Sequence, residues 1–332
     1  MNVVRFGVLG AASVAPYALI RHARRNPEAE VVAIASRDVR AAARYARKYR
    51  IPRVHRTYQD VVDDPDINAI YIPLPTALHG RWTLAGIAAG KHVLCEKPLA
   101  ANAAEARHVA QVAEGSGLVV AEAFHSLTHP MWQRVEHVVS SGQMGGIERI
   151  DAAFSFPLPF PGNFRRDFDL GGGALLDVGC YPVGFVCELG GLPEVIIARA
   201  KLFSAEVDRA MTAELRFASG AQGKIVASMW SLSTPRFDVR VLGSDGELRA
   251  YNPVSPQNMN RIVVRDKQGH RWSERATRRP SYAFQLEAFI EAVLRGGPVL
   301  TTAAHAVTKL AAIDAIYERA GLQRRSAASP GS

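Results

Sequence analysis

The sequence predicts an α/β chain of two domains: an N-terminal domain with a parallel sheet, and a C-terminal α+β domain with a large, open-faced, mostly antiparallel sheet. One observation is that short apolar segments alternate with helical segments through residue 123. Another is that longer segments of alternating polarity, joined by tight turns, follow them. The length of 332 residues also exceeds one average domain. We expect domains at 1–123 and 124–322, followed by a flexible tail at 323–332.

Five strands are predicted in the first domain, because each is a short run of apolar and β-branched residues. The strands are expected at 3–9, 30–36, 69–72, 92–95 and 118–123. Helices are expected between them at 14–25, 40–49, 78–89 and 103–115. Strands that are apolar on both faces need cover on both, so the sheet is predicted to be parallel with helices on either side.

The second domain is predicted to begin with a helix near 130–140 and to continue in longer strands. Hairpin turns are expected at Ser219-Gly220 and at Asp245-Gly246, because alternating segments flank both. The arginine-rich segment 261–279 is interpreted as another hairpin with its following loop, and its charges as a solvated edge. Helices are expected again at 282–294 and 304–319.

Composition favours a globular protein of a reducing compartment. Hydrophobic residues make up 48% and charged residues 21%, which excludes a disordered chain. No apolar run approaches the roughly 20 residues of a membrane helix, and the three cysteines have no zinc-ligand spacing, so no metal is expected. The formal charge of +9 comes mainly from dispersed arginine. We therefore expect a soluble, cytoplasmic protein that binds neither nucleic acid nor membrane, but favours anionic small molecules.

A turn of small residues between the first strand and the first helix predicts a dinucleotide site. In FGVLGAASVAP, Gly10, Ala12 and Ala15 form a relaxed version of the fingerprint G-x-G-x-x-G. Small residues let the backbone approach a pyrophosphate, and the helix N-terminus stabilises its charge. The expected cofactor contacts are Gly10, Ala11, Ala12, Ser13 and Val14. A turn that is merely tight is the alternative.

The end of the second strand predicts which cofactor binds. The segment VVAIASRD places Ser36 and Arg37 where NAD-dependent enzymes usually carry a carboxylate for the ribose 2′-hydroxyl. A hydroxyl and a guanidinium would instead bind a 2′-phosphate, helped by Arg40 one turn on. Asp38 is expected to cap the next helix. The sequence therefore favours NADP(H) over NAD(H).

Two prolines follow the third predicted strand, in the segment IPLPTALH. The loop is expected outside the carboxyl end of the sheet, where ligands of such folds bind. Pro73, Leu74 and His79 are therefore predicted to line the groove between adenosine and nicotinamide. A helix cap at Thr76 is the other interpretation of this segment.

The segment HVLCEKPLA places an ionisable amine at the carboxyl end of the fourth predicted strand. Lys97 is expected beside the nicotinamide, with Glu96 among the cofactor contacts and Pro98 fixing the turn. Apolar neighbours and a cationic ring would lower the basicity of the amine, so it could orient or protonate a substrate oxygen. A lysine that simply reaches solvent is the alternative.

The segment GGGALLDVGCYP combines three glycines with two ionisable side chains. The glycines are expected to bring backbone close to a ligand. Asp177 and Tyr181 would share one face of a continuous helix, but Gly179 and Pro182 predict a kink between them.

Together, the fingerprint at Gly10, the Glu96-Lys97-Pro98 segment and the glycine-rich segment 171–182 resemble the Gfo/Idh/MocA oxidoreductase family. The resemblance spans almost the whole chain in the family's order. It implies an N-terminal Rossmann domain, a second domain with a mixed β-sheet, and hydride transfer between a nicotinamide and a sugar-like carbon. It also implies that Lys97 is catalytic and lies on a cis-proline loop.

Tyr181 stands where many members of this family carry a histidine. In this respect the chain resembles the dihydrodiol dehydrogenases and the NDP-hexose 3-ketoreductases, which also carry a tyrosine at this position. The resemblance makes Tyr181 a candidate proton donor, and a tyrosine that is merely buried is the alternative. Segments 123–132 and 152–165 look most like the 3-ketoreductases of deoxysugar pathways. Leu127 replaces an arginine that sugar and dihydrodiol dehydrogenases more often carry.

Arg165 matches an arginine often found before the glycine triplet of this family. It is expected to contact NADP or a sugar diphosphate, or else to pair with Asp167 at the surface. Asp177 is expected to contact the cofactor and to orient Lys97 and Tyr181.

The resemblance therefore predicts NADPH-dependent reduction of a sugar ketone, at C-3 of an NDP-4-keto-6-deoxyhexose such as a dTDP sugar of antibiotic biosynthesis. The alternatives are an NADP-dependent aldose or trans-dihydrodiol dehydrogenase, and a non-catalytic NADP-binding sensor. A homo-oligomer, either a dimer or a tetramer, is expected through the open sheet, because a large apolar sheet face needs cover.

Overall fold

The computed structural model describes residues 2–157, 164–229 and 236–327, and the chain divides into two compact units. The first unit comprises Met1–His125 and Tyr282–Ala306. The second comprises Ser126–Ser281 and Val307–Ser332.

A six-stranded parallel sheet forms the centre of the first unit. Its strands are β1 Val4–Leu9, β2 Ala29–Ala35, β3 Arg53–Val54, β4 Ala69–Ile72, β5 His92–Glu96 and β6 Val120–Ala123. They lie in the order β3-β2-β1-β4-β5-β6, and each neighbouring pair is parallel. The order reverses between β1 and β4, which brings the loops after these strands to the edge where doubly wound sheets bind ligands. The predicted Rossmann fold is confirmed.

Helices connect these strands at nearly the expected positions. They are a π-helical turn Pro16–Ile20 continuing into α1 Arg21–Ala23, then α2 Val39–Lys48, α3 Tyr58–Asp63, a 3-10 turn Thr76–Leu78 before α4 His79–Ala88, and α5 Ala103–Glu114. Asp38 caps α2 as predicted, because its Oδ1 accepts from the backbone N–H groups of Arg40 and Ala41 at 2.8 and 3.1 Å. The sequence analysis missed β3 and α3, which are too short to show a hydrophobic period.

A helix far along the chain completes the core of the first unit. This helix, α9 Ser281–Arg295, contributes Phe289, whose ring centroid lies 5.7 Å from that of Phe6 in β1. Leu286 and Ile290 belong to the same buried cluster. The predicted second domain, 124–322, is therefore wrong for residues 282–306, because the apolar face of α9 packs with β1.

The segment after α9 also joins the first sheet. Ala121 in β6 forms an isolated antiparallel bridge with Thr302. The backbone N–H of Glu122 donates to the Thr301 carbonyl at 2.8 Å, and the Thr301 hydroxyl donates to the Glu122 carbonyl at 2.7 Å. The edge of β6 is thereby covered.

An eight-stranded sheet forms the centre of the second unit. Its strands are β7 Ile147–Ser155, β8 Glu194–Leu202, β9 Asp208–Arg216, β10 Gln222–Ser228, β11 Arg236–Gly243, β12 Gly246–Tyr251, β13 Arg261–Asp266 and β14 Arg271–Glu274. The order is β14-β13-β12-β11-β7-β10-β9-β8, and the β7–β10 pair is parallel while the others are antiparallel. The predicted mostly antiparallel sheet and its three hairpins are confirmed.

Helices cover one face of this sheet. They are α6 Pro130–Ser140, α7 Ala174–Asp177, α8 Cys180–Gly190 and α10 Ala303–Arg319, the last of which begins in the first unit. Helix α7 contacts β9 and β10, and α8 contacts β7 and β10. Ala174, Val178 and Ala227 form a buried cluster there, against which Phe154 packs.

The opposite face of the sheet is charged rather than apolar. The sequence analysis expected an apolar face that an oligomer would cover, and that expectation of an apolar face is wrong. Because side chains alternate along a strand, Asp151 and Asp238 point away from the face that carries Phe154. Asp151 pairs with Arg149, and Asp238 with Arg249, each at 2.8 Å. The arginines of both pairs are partly exposed, and ion-paired side chains of this kind are compatible with water, so this face does not require an apolar partner.

The end of the chain is also more ordered than predicted. Arg325 is 1% exposed, so the expected flexible tail does not begin at residue 323. The last five positions of that predicted tail, 328–332, lie outside the described residues. Within residues 2–157, 164–229 and 236–327, no helix combines the length and apolarity needed to cross a lipid bilayer.

Candidate functional site

The fingerprint turn lies where the sequence places it, between β1 and the first helical turn. Gly10 has a φ of +112°, and its N–H donates to the Ala35 carbonyl at the end of β2 at 2.8 Å. A Cβ at this position would lie 3.0 Å from Leu74 Cδ2, so glycine allows the turn to lie against the loop after β4. The Tyr45 hydroxyl in α2 donates to the Ala12 carbonyl at 2.9 Å. Burial raises the pKa of Tyr45, which keeps this donor protonated.

The other residues of the turn leave a surface for a ligand. Ser13 is exposed, whereas Ala11, Ala12 and Val14 are half-buried. The π-helical turn begins two residues later, at Pro16. Small, partly exposed residues before a helical turn fit the approach of a pyrophosphate.

A cavity of about 350 Å³ lies at the end of β2. Its lining residues are Ser36, Arg37, Arg56, Thr57, Tyr58, Gln59 and Trp82. This set contains two guanidinium groups, one tryptophan and no carboxylate, which suits an adenosine with a 2′-phosphate. Arg40 is exposed on α2 and is not among the lining residues.

Two aromatic side chains of this cavity were not anticipated from the sequence. The rings of Tyr58 and Trp82 meet edge to face, with centroids 5.2 Å apart. Burial raises the pKa of Tyr58, although the charge and backbone N–H of Arg37 oppose that rise. The one available signal was the capping box of Thr57 and Asp60, which marks the start of α3.

His79 occupies a different place from the predicted groove. Pro73 and Leu74 follow β4 as expected, but the imidazole of His79 is 1% exposed. Its Nδ1 lies 2.7 Å from the Pro98 carbonyl, and its Nε2 lies 2.7 Å from the Leu74 carbonyl. The ring therefore links the loop after β4 to the loop after β5. Burial lowers the pKa of His79, and the neutral ring can donate to only one of these oxygens at a time.

Lys97 is the first residue after β5, and its peptide bond to Pro98 is cis, as the family resemblance implies. The side chain of Lys97 is half-buried. Glu96 is 7% exposed, and its Oε1 accepts from the Tyr71 hydroxyl at 2.5 Å. Burial raises the pKa of Glu96, opposed by that hydrogen bond and by the charge of Lys97. The carboxyl group of Glu96 thus supports the base of the loop.

Glu122 holds the other side of the same loop. It is completely buried at the end of β6, and its Oε1 accepts from the backbone N–H of Leu99 at 2.9 Å. Together with the contact from His79 to Pro98, this bond fixes the backbone immediately after Lys97. The sequence analysis missed Glu122, because a carboxylate inside a strand gave no indication of its partner.

Asp177 and Tyr181 lie on either side of the predicted kink. Asp177 is the last residue of α7, and Tyr181 lies in the first turn of α8, which starts at Cys180. Tyr181 is 5% exposed and meets the ring of Phe154 edge to face, with centroids 5.4 Å apart. Both the buried-tyrosine and the proton-donor interpretations are compatible with this position.

Arg165 does not form the surface pair with Asp167 that was one of its two interpretations. Its Nε donates to Oδ2 of Asp177 instead. Asp167 Oδ1 accepts from the backbone N–H groups of Asp169 and Leu170 at 3.0 and 3.3 Å. The second unit therefore places a guanidinium on the carboxylate that was predicted to contact the cofactor. Of the segment 152–165, residues 158–163 lie outside the described residues.

Internal packing requires two glycines of the triplet, Gly172 and Gly173. A Cβ on Gly172 would lie 2.5 and 2.6 Å from the carbonyl oxygens of Asp167 and Arg165. A Cβ on Gly173, whose φ is +128°, would overlap Asp208. A side chain at Gly172 would therefore displace backbone, and one at Gly173 would displace a buried charge.

Comparison with known protein families gives one match for the region of each sheet. Residues 4–124 match the Gfo/Idh/MocA oxidoreductase family with an NAD-binding Rossmann fold, and residues 132–249 match the Gfo/Idh/MocA C-terminal domain. The chain belongs to the Gfo/Idh/MocA oxidoreductase family. Its Rossmann unit carries Lys97, and its second unit carries Asp177 and Tyr181.

Members of this family with assigned activities are similar over most of the chain. A D-xylose 1-dehydrogenase (NADP⁺) of Haloferax volcanii is 35% identical, covering 95% of this chain and 97% of that protein. A dTDP-3,4-didehydro-2,6-dideoxy-α-D-glucose 3-reductase of Streptomyces violaceoruber is 33% identical, covering 90% and 87%. The crystal structure of KijD10, a 3-ketoreductase of Actinomadura kijaniata in complex with NADP and TDP-benzene, is 28% identical. It superposes with a TM-score of 0.86 and covers 97% of this chain and 98% of that one.

Proposed function

We propose that this Gfo/Idh/MocA protein uses NADPH to reduce the ketone of a nucleotide-linked sugar, at C-3 of a dTDP-4-keto-6-deoxyhexose. The observation that carries the proposal is its similarity to dTDP-sugar 3-reductases over most of the chain, extending to a 3-ketoreductase crystallised with NADP and TDP-benzene. The candidate side chains support the same chemistry, since an amine and a phenol can both serve as acids toward a carbonyl oxygen.

The cofactor assignment is supported by the cavity at the end of β2. Ser36, Arg37 and Arg56 offer a hydroxyl and two cations to a 2′-phosphate. The turn from Gly10 to Val14 offers small residues to the pyrophosphate. When bound, the cofactor supplies the hydride for the ketone carbon.

The residues of the chain then have separate roles. Lys97, held by the bonds to Pro98 and Leu99, polarises the ketone oxygen through its ammonium group. Tyr181 or Lys97 donates the proton that converts the developing alkoxide to an alcohol. Asp177, paired with Arg165, orients these donors and contacts the cofactor.

A panel of substrates tests the proposal. Purified protein is assayed for NADPH oxidation with dTDP-3,4-didehydro-2,6-dideoxyglucose, and for NADP⁺ reduction with D-xylose, D-glucose and trans-dihydrodiols. The proposal expects kcat/KM for the keto sugar to exceed that for any aldose or diol by at least about 100-fold, because the nucleotide adds binding energy. Turnover confined to the free sugars or diols would contradict it.

An aldose dehydrogenase is the second candidate function. It is favoured by the 35% identity to the Haloferax volcanii D-xylose dehydrogenase, which covers more of the chain than the Streptomyces violaceoruber reductase does. The same two groups would then act in reverse, with Tyr181 or Lys97 accepting the proton of the sugar hydroxyl. Adding dTDP separates the two functions, since competition is expected only for an enzyme that binds the nucleotide.

We further propose a cytoplasmic homo-oligomer that associates through the charged face of the second sheet. That face carries both signs of charge in close alternation, as in the Asp151–Arg149 and Asp238–Arg249 pairs. A two-fold axis would place such a surface against itself with opposite charges in register. Light scattering at low and high salt measures the association, and a monomer under both conditions would contradict this part of the proposal.

A further inference from the structure

The last described segment of the chain, residues 323–327, carries a completely buried arginine. The guanidinium of Arg325 has no exposed surface, and its Nη2 lies 3.1 Å from Oδ1 of Asp208. Its Nε donates to the Gly172 carbonyl at 2.6 Å, and its Nη1 to the Gln323 carbonyl at 2.9 Å. The rings of Phe168 and Tyr317 lie against it, with centroids 4.7 and 4.4 Å from Cζ. These partners fix the guanidinium in one orientation.

Asp208 carries the matching negative charge, at the start of β9. Its Oδ1 accepts from the Tyr317 hydroxyl at 3.0 Å, and its Oδ2 accepts from the backbone N–H of Leu175 at 2.7 Å. Burial raises the pKa of Asp208, opposed by the Leu175 bond and the charge of Arg325. The carboxylate is therefore bound by donors on three different segments.

Two of these contacts reach the backbone that leads into α7. Arg325 binds the carbonyl before Gly173, and Asp208 binds the N–H of Leu175 after it. Helix α7 ends two residues beyond Leu175, at Asp177. The buried pair thus clamps the start of the helix that presents Asp177.

The same backbone also carries the partner of Asp177. The N–H of Gly173 donates to the Arg165 carbonyl at 3.0 Å, and the N–H of Gly172 donates to the Asp167 carbonyl at 2.7 Å. Arg165 in turn donates to Asp177. Both members of the Arg165–Asp177 pair are therefore attached to the segment that Arg325 holds.

We propose that Arg325 is a positioning residue for the Asp177–Arg165 pair, so that the segment after α10 affects turnover through the backbone that leads into α7. The inference rests on the proposed role of Asp177. A buried ion pair adds little net stability, because desolvation offsets the attraction. The main effect of the Asp208–Arg325 pair is to fix the position of the backbone at the start of α7. Without this pair, that backbone loses its contacts with Arg325 and Asp208. Small displacements of a positioned group reduce turnover strongly.

Arg325→Met and Arg324→Gln form a matched pair of variants that tests this inference. Arg324 is the neighbouring residue, but its side chain is 55% exposed and its partner is Glu318. Arg325→Met is expected to lower kcat for the keto sugar by about 10-fold or more and to raise the Kd for NADPH by a much smaller factor, because the turn and the cavity proposed to bind NADPH both lie in the Rossmann unit. Arg324→Gln is expected to leave both unchanged. Assays are run well below the Tm of each variant.

Hydrogen exchange gives a measurement that does not depend on the substrate. Faster exchange is expected across residues 165–177 in Arg325→Met, and equally in Asp208→Asn, which keeps the shape of the side chain if the arginine variant does not fold. Folded variants with wild-type kcat and wild-type exchange in this segment would overturn the inference. A wild-type protein that binds NADPH but reduces no keto sugar would contradict the proposed function and not the role of Arg325. That role would still be decided by comparing hydrogen exchange between the wild type and the variants.

Discussion

The two units fix their candidate site segments by different means. In the Rossmann unit, the backbone after Lys97 is held by His79 and Glu122. His79 begins the helix that follows β4, and Glu122 lies in β6, so both belong to the segments on either side of β5. In the second unit, the start of α7 is held by the Asp208–Arg325 pair, whose arginine comes from the end of the chain.

This difference follows from the architecture of each unit. A parallel sheet brings the carboxyl ends of consecutive strands to one edge, so residues that follow those strands can support one another. An antiparallel sheet has no such common edge, and the short helix α7 has only four residues, Ala174–Asp177, so it needs contacts from distant segments. Support is local in one unit and long-range in the other.

The largest effects are expected at the two side chains proposed to act in acid–base catalysis. Lys97→Ala and Tyr181→Phe should each lower kcat for the keto sugar by about 100-fold or more, as loss of an acid–base group does. NADPH binding, measured by fluorescence titration, should be retained in Tyr181→Phe. Full activity in both variants would contradict the assignment. Tight NADPH binding by the wild-type protein without turnover of any carbonyl substrate would instead favour the non-catalytic NADP-binding sensor.

The next effect concerns only the Rossmann unit. Arg37→Asp replaces a cation of the β2 cavity with a carboxylate, and is expected to raise KM for NADPH by about 10- to 100-fold, the loss of one charge-assisted hydrogen bond. KM for NADH should fall or stay constant. Arg40→Asp, which lies outside the cavity lining, is the control. It should change the ratio of KM for NADPH to KM for NADH less than Arg37→Asp does. A wild-type preference for NADH would rule out the NADP(H) assignment.

His79→Leu removes the contact between the imidazole and the loop that carries Lys97, and so tests how much that contact stabilises the loop. Removing a donor from a buried carbonyl should lower the free energy of unfolding by about 2 kcal/mol and kcat by about 10-fold. Because burial lowers the pKa of His79, the ring is neutral in the fold and protonates more readily when unfolded. Wild-type stability should therefore fall as the pH drops below about 6.5, and this part of the fall should be absent in the variant. Stability that rises on acidification would show a charged ring instead.

The smallest effect is expected at Asp167. Asp167→Asn keeps an oxygen for the N–H groups of Asp169 and Leu170, and Arg165 pairs elsewhere, so kcat should remain within about twofold of wild type. Arg165→Gln should lower kcat by about 10-fold, because the ion pair of Arg165 with Asp177 is lost. Equal losses in the two variants would indicate that Arg165 acts through Asp167 after all.

The sequence predicted the features that depend on local pattern. Apolar runs located five of the six strands of the Rossmann sheet, and turn residues located the hairpins of the second sheet. Asp38 was identified as a cap because capping acts over two or three residues. The cis bond before Pro98 followed from the resemblance of the Glu96-Lys97-Pro98 segment.

What the sequence could not predict depends on partners distant along the chain. Arg325 stands in a polar segment rich in small residues, which indicates a flexible tail unless Asp208 is known to face it. His79 follows a loop that the sequence predicted to bind a ligand, and only the positions of two carbonyls show that its ring is enclosed. Arg56 and Trp82 are far apart in sequence, and the fold brings them to the same cavity.

The packing of α9 against β1 constrains the order in which the protein can fold during synthesis. Phe289 and Ile290 are translated more than a hundred residues after the last strand of the sheet whose core they complete. The nascent nucleotide-binding unit must therefore leave the ribosome with an open hydrophobic surface, and can close it only when nearly the whole polypeptide has emerged. A gene fragment that stops after β6 would encode a sheet without its final layer.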